Sequence, residues 1–121
     1  TKIYVHEVNM INKKKLIHGC ANITGGGLFV NIIRVVPENL SINIDLSKIK
    51  TKNIFKWLKS KNISDNEMLK TFNCGVGFCL IVEKKNISKI QKYFSQGYKP
   101  YIIGFISNNK KKVNLLNKIK W

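Results

Sequence analysis

The residues best suited to chemistry lie in NITGGGLFVNIIR, residues 22–34. Three consecutive glycines, Gly25, Gly26 and Gly27, expose backbone N–H groups with no Cβ in the way and reach positive φ easily. A helix start immediately after them adds unpaired N–H groups and the positive end of a dipole. That combination suits a phosphate. Thr24 supplies a hydroxyl, and Asn31 and Arg34, three residues apart on the helix, face a common side. The spacing is neither GxxxxGK[ST] nor GxGxxG. On pattern alone an anion cradle and a plain strand-to-helix turn stand equal. A second segment, TFNCGVGF at 71–78, sets Thr71 and Asn73 at the entry to an apolar run. Its Gly75 and Gly77 allow a backbone or a ligand to come close. The plainer reading is a helix-to-strand corner in which Asn73 bonds its own backbone.

Other chemistry-bearing residues are scattered. His6 and His18 have no partner at metal-ligand spacing, and His18, inside an apolar run, reads as a core residue. The carboxylates Glu7, Glu38, Asp45, Asp65, Glu67 and Glu83 form no paired or DxD-like cluster of the kind that holds a magnesium nucleotide. No metal site and no catalytic acid or base is therefore assigned. Cys20, Cys74 and Cys79 are odd in number and lack CxxC spacing, so they read as free, mostly buried thiols in a reducing compartment.

The formal charge is +16, yet among 22 Lys and Arg residues only Arg34 is an arginine. Arginine is the side chain that reads phosphates and bases bidentately. Lys, Asn and Ile make up 54 of the 121 residues and share A/T-rich codons. The lysines thus read as a solvated surface that binds polyanions weakly and in a salt-dependent way, with no specific nucleic-acid partner. No apolar run reaches the roughly 18–20 residues of a membrane span, and no signal-peptide pattern is present. The expectation is a cytoplasmic domain with no membrane partner.

The elements that must position these residues follow from periodicity. Residues 1–121 fit a single domain. Ile3, Val5, Val8 and Ile11 predict a first helix. LIHGCANI predicts a buried strand leading into the glycines. LFVNIIRVV predicts a helix ending before Pro37. LSINIDL alternates as a half-buried strand. TKNIFKWLKSK predicts a helix capped by Thr51, and Ser64 with Glu67 forms a capping box for the next. GVGFCLIVE reads as a central strand, and NISKIQKYFSQG as a helix stopping at Gly97. YIIGFIS and KVNLL read as two last strands joined by a turn at NNKK. The alternation points to an α/β (α+β) fold, a mixed β-sheet flanked by helices.

Taken together and in this order, TKIYV, NITGGGLFVNIIRVVP and EMLKTFNCGVGF resemble the phosphoribosylformylglycinamidine cyclo-ligase family (aminoimidazole ribonucleotide synthetase) of purine biosynthesis, in its C-terminal domain. The resemblance covers nearly the whole chain. It implies an ATP-dependent ring closure of formylglycinamidine ribonucleotide to aminoimidazole ribonucleotide. It also implies that ATP and Mg2+ are bound mainly by an N-terminal domain absent from this chain, and that the full-length enzyme is a homodimer. This domain would contribute Asn22, Thr24, Gly25, Gly26, Gly27, Asn31, Arg34, Thr71, Asn73 and Gly75 to substrate or phosphate binding and be inactive alone. Whether the loop faces the ribotide or the nucleotide phosphate is open. The family usually has histidine where Asn22 stands and proline where Ile33 stands. Asn22 hydrogen-bonds but carries no proton at neutral pH. The alternative is a non-catalytic anion- or partner-binding domain of the same superfamily.

Overall fold

Helices and strands alternate in the computed structural model, which describes residues 2–110 and 112–121. In order they are α1 (Val5–Lys13), β1 (Gly19–Asn22), α2 (Gly27–Ile33), β2 (Leu40–Asp45), α3 (Asn53–Lys59), α4 (Asp65–Thr71), β3 (Phe78–Ile81), α5 (Ile87–Gln91), β4 (Gly104–Asn108) and β5 (Val113–Leu116). Short 3-10 turns lie at Leu46–Lys48, Lys84–Asn86 and Gln96–Tyr98. The expected α+β class is present, but the strands divide between two sheets. One pairs β1 with β3, and the other has the order β4-β2-β5. Each strand of a pair is an edge, so β3 is not the central strand its apolar run suggested.

The chain forms two compact units, Thr1–Cys20 with Leu80–Tyr101, and Ala21–Cys79 with Ile102–Trp121. The first is built on Ile11, Leu16 and Ile90, against which Leu80, Val82, Tyr93 and Phe94 pack. Ile11 is the only buried residue of α1; Ile3 and Val5, expected on the same apolar stripe, are exposed. The helix begins at Val5, so Ile3 falls outside its periodicity. Lys2 donates to Gly97 O and lies over the Tyr98 ring, which also meets Tyr4 edge-on. α5 ends at Gln91, well short of Gly97. The apolar run around His18 predicts a core residue; instead His18 is exposed, and its Nε2 lies 3.0 Å from Glu83 Oε1.

The second unit carries the three-stranded sheet. β2 pairs antiparallel with β4 and parallel with β5, which makes this sheet mixed. On one face the register aligns Ile42 with Ile106 and Val113; on the other it aligns Asn43 with Phe105 and Asn114. Asn43 Nδ2 donates to Ser107 Oγ (2.9 Å), and Asn43 Oδ1 accepts from Asn114 Nδ2 (2.8 Å). This amide ladder explains why β2 is buried on both faces, Ser41 and Asn43 as well as Ile42 and Ile44. Alternation alone had marked it as half-buried. The turn predicted at 108–111 includes Lys111, outside the described residues. On either side of it, Ser41 Oγ donates to Lys110 O (2.6 Å) and Ile42 N–H to Lys112 O (2.9 Å). β4 and β5 take opposite sides of β2.

The helix starts show where sequence signals hold. α4 is capped by Ser64, whose Oγ accepts from Glu67 N–H (3.2 Å). The reciprocal half of the box does not form, because Glu67 Oε1 accepts from Thr71 Oγ1 (2.8 Å). The N-cap of α3 is Lys52, without a side-chain bond, and Thr51 Oγ1 donates instead to Lys120 O (3.0 Å). Asp65, the first residue of α4, accepts from Trp121 Nε1 and pairs with Lys59 Nζ, each at 2.9 Å.

Candidate functional site: the glycine loop

The loop at 24–27 leads from β1 into α2. Asn22, at the end of β1, is exposed, and Ile23 N–H donates to Gly77 O (2.9 Å). Gly27 N–H donates to Thr24 O (3.3 Å), closing the turn. The three glycines differ in what holds them. Gly25 has no positive φ, and nothing lies within 4 Å of where its Cβ would stand. Gly26 has φ +90°, and a Cβ there would meet only the Val30 side chain, at 3.4 Å. Gly27 has φ +69°, and a Cβ would fall 2.0 Å from Leu69 O and 3.1 Å from Lys70 O. Its missing side chain lets α2 pack on the carbonyl end of α4. Gly27 is thus a close-approach glycine, Gly26 a conformational one, and Gly25 the one whose Cα faces open space.

Asn31 is buried beneath the loop. Its Nδ2 donates to Gly27 O (2.6 Å), Gly25 O (3.2 Å) and Thr24 O (3.5 Å), and its Oδ1 accepts from Thr24 Oγ1 (3.5 Å). The bond to Gly27 is the i−4 back-bond open to a short polar side chain on a helix. Sequence spacing aimed Asn31 outward beside Arg34; the fold turns it to the loop carbonyls. Arg34 is exposed just past α2, roughly 10 Å along the helix axis from Gly27 at 1.5 Å per residue.

The second segment is organised by its backbone. Gly75 N–H donates to Asn73 Oδ1 (3.0 Å), and Val76 N–H to Asn73 O (2.9 Å). Cys74 takes φ +50° and Gly75 φ +100°, where a Cβ would stand 2.8 Å from Lys50 O. This is the helix-to-strand corner with a self-bonded Asn73. Thr71 is exposed and donates to Glu67. The segments meet where Ile23 N–H donates to Gly77 O, and Leu69 and Lys70, just before the second segment, lie against Gly27. Residue identity gave no signal for these contacts.

Burial raises the Cys74 thiol to about 11, with the Asp65 charge adding to it, and the Cys79 thiol to about 12. Both are protonated and unreactive at neutral pH. Cys20 is exposed, so the thiols are not uniformly buried. Among the described residues no group of three or more His, Cys, Asp or Glu side chains converges to hold a metal ion.

The model for AIR synthase related protein, C-terminal domain, matches residues 1–115. The chain is 40% identical over 114 residues to a phosphoribosylformylglycinamidine cyclo-ligase of Clostridium tetani, covering 93% of this chain and 34% of that protein. It is 42% identical over 107 residues to the trifunctional purine biosynthetic protein adenosine-3 of Chironomus tentans, 88% of this chain and 8% of that protein. A bifunctional purine biosynthetic protein of Pichia angusta is 39% identical over 112 residues, 91% of this chain and 14% of that protein. The chain therefore spans about a third or less of these relatives.

Proposed function

Because the chain belongs to the AIR synthase related protein, C-terminal domain family, we propose that it serves as the C-terminal domain of a phosphoribosylformylglycinamidine cyclo-ligase. In this reading the formyl oxygen of formylglycinamidine ribonucleotide is phosphorylated by ATP. An amidine-side nitrogen then attacks, releasing phosphate and leaving ADP and aminoimidazole ribonucleotide. The chain's part is to hold a phosphate of the ribotide or the nucleotide on the glycine loop. The observation that carries this is the open face at Gly25, beside exposed Thr24. A phosphate can approach that backbone without displacing any side chain.

The carboxylates of this chain do not fit a magnesium site, so the reading assigns Mg2+ and most of the ATP contacts to an N-terminal domain. A homodimer of the whole enzyme and a cytoplasmic location belong to the same proposal. Asn22 favours a second reading. It is exposed at the mouth of the loop and stands where the family usually has histidine. If that histidine moves a proton, this chain is slower or uses another group; the second reading is a non-catalytic anion- or partner-binding domain.

The test is turnover of formylglycinamidine ribonucleotide with Mg-ATP by the gene product containing this chain. Turnover is expected, with Gly25→Val raising KM at unchanged thermal stability. A folded product that gives no turnover but still binds phosphate selects the non-catalytic reading. Unchanged KM in Gly25→Val overturns the loop's role.

A further inference from the structure

Resting on the phosphate-cradle reading, we infer that Asn31 is the positioning residue that builds the cradle, acting through the loop without touching the anion. No peptide bond in the described chain is cis. In a trans peptide the C=O and the N–H of the next residue point in opposite directions. Asn31 Nδ2 draws in the carbonyls of Thr24 and Gly25, at 3.5 and 3.2 Å. The N–H groups of those same two peptides belong to Gly25 and Gly26. They are turned away from Asn31, and Gly25 borders open space. Two successive N–H groups presented to one side make the concave amide arrangement that receives anion oxygens.

Glycine peptides rotate freely, so the sequence that allows the cradle also needs something to hold it. Asn31 meets that need with a neutral donor anchored 2.6 Å from Gly27 O in the first turn of α2. Its burial, 8% exposed, keeps it from competing for the ligand. A carboxylate here repels all three carbonyls. A leucine leaves them unpaired, and the peptides are free to flip. The Thr24 hydroxyl, held against Asn31 Oδ1, is oriented by the same side chain.

The experiment titrates inorganic phosphate into the isotopically labelled gene product containing this chain and follows the Gly25 and Gly26 amide resonances. In the wild type both shift with one Kd, and before phosphate is added both exchange rapidly with solvent, while the Asn31 side-chain amide protons are protected. Asn31→Leu and Asn31→Asp are expected to weaken phosphate at least about tenfold, the scale of one charge-assisted hydrogen bond. Ile32→Val destabilises the same helix without touching the amide and should leave Kd unchanged. No response of Gly25 and Gly26 in the wild type overturns the cradle reading itself, and this inference with it. A wild-type response that a folded Asn31→Leu retains overturns the inference alone. If neither Asn31 variant folds, wild-type exchange decides: slow exchange at Gly25 and Gly26, or an unprotected Asn31 amide, refutes it.

Discussion

Replacing each glycine of the loop by alanine in turn separates three roles that the sequence writes identically. Gly25→Ala adds a methyl group to open space at an ordinary φ. Its effect should stay within about 0.5 kcal/mol of zero, or stabilise by up to about 1 kcal/mol through a less flexible unfolded chain. Gly26→Ala forces an L-residue to φ +90° with room for its Cβ, at 3.4 Å from Val30. It should cost about 1–2 kcal/mol, the left-handed penalty alone. Gly27→Ala carries the same penalty and a Cβ only 2.0 Å from Leu69 O. That atom is helix backbone and cannot swing aside as a side-chain tip would. Separating α2 from α4 adds about 1–3 kcal/mol, as overpacking does, for a total of about 2–5 kcal/mol. Against a net stability of about 5–15 kcal/mol for a domain, only this variant threatens folding at physiological temperature. Urea unfolding of the three variants, followed by circular dichroism, gives the ranking. A Gly27→Ala protein as stable as Gly25→Ala would refute the α2–α4 contact and the division of roles built on it.

Ser64→Ala should cost about 1 kcal/mol, the usual value of an N-cap. Glu67→Ala should cost less, since Glu67 does not close the capping box; equal losses on thermal unfolding would show that the box does form. A thiol reagent at pH 8 should modify one cysteine, Cys20, in the folded chain and three after denaturation, because Cys74 and Cys79 are buried with raised thiol pKa values. Rapid labelling of two or three in the native state would contradict that burial. The Lys59 hydrogen bond, followed by that of Trp121, holds the Asp65 carboxyl below its usual value of 3.8. Its depressed folded pKa gives stability that is present above the unfolded value and lost as pH falls through the folded one. Asp65→Asn should therefore flatten the stability profile below about pH 4, by less than about 1 kcal/mol, since the pair is largely solvated. An unchanged acid limb would refute the pairing.

Much of the fold was legible because its signals are local. Hydrophobic spacing and turn residues located α1, α2, α4, β2 and β4 to within a few residues, since backbone hydrogen bonds within three or four positions decide helices and alternation decides strand faces. Signals failed where a distant partner outbid the local one. Thr51 bonds Lys120 instead of capping α3, and Glu67 bonds Thr71 instead of closing its box. His18 left its apolar context for Glu83, sixty-five positions away. Strand partners were also out of reach: nothing near β2 announces that β4 and β5 flank it on opposite sides.

By itself the sequence determined the class of the fold and the family, and it singled out two segments, 22–34 and 71–78, as candidates for the site. Composition and motif order suffice for those, because they depend on residue types and spacing. Only the tertiary structure decided what each residue in the segments does. Three glycines with one letter became a close contact, a left-handed turn and an open face because Leu69, Val30 and empty space lie beyond them. Asn31 became the loop's internal hydrogen-bond donor because the buried side of α2, not its exposed side, carries it. A side chain's role depends on which groups the fold brings within about 3 Å of it, and that is settled by packing between segments that the sequence keeps apart.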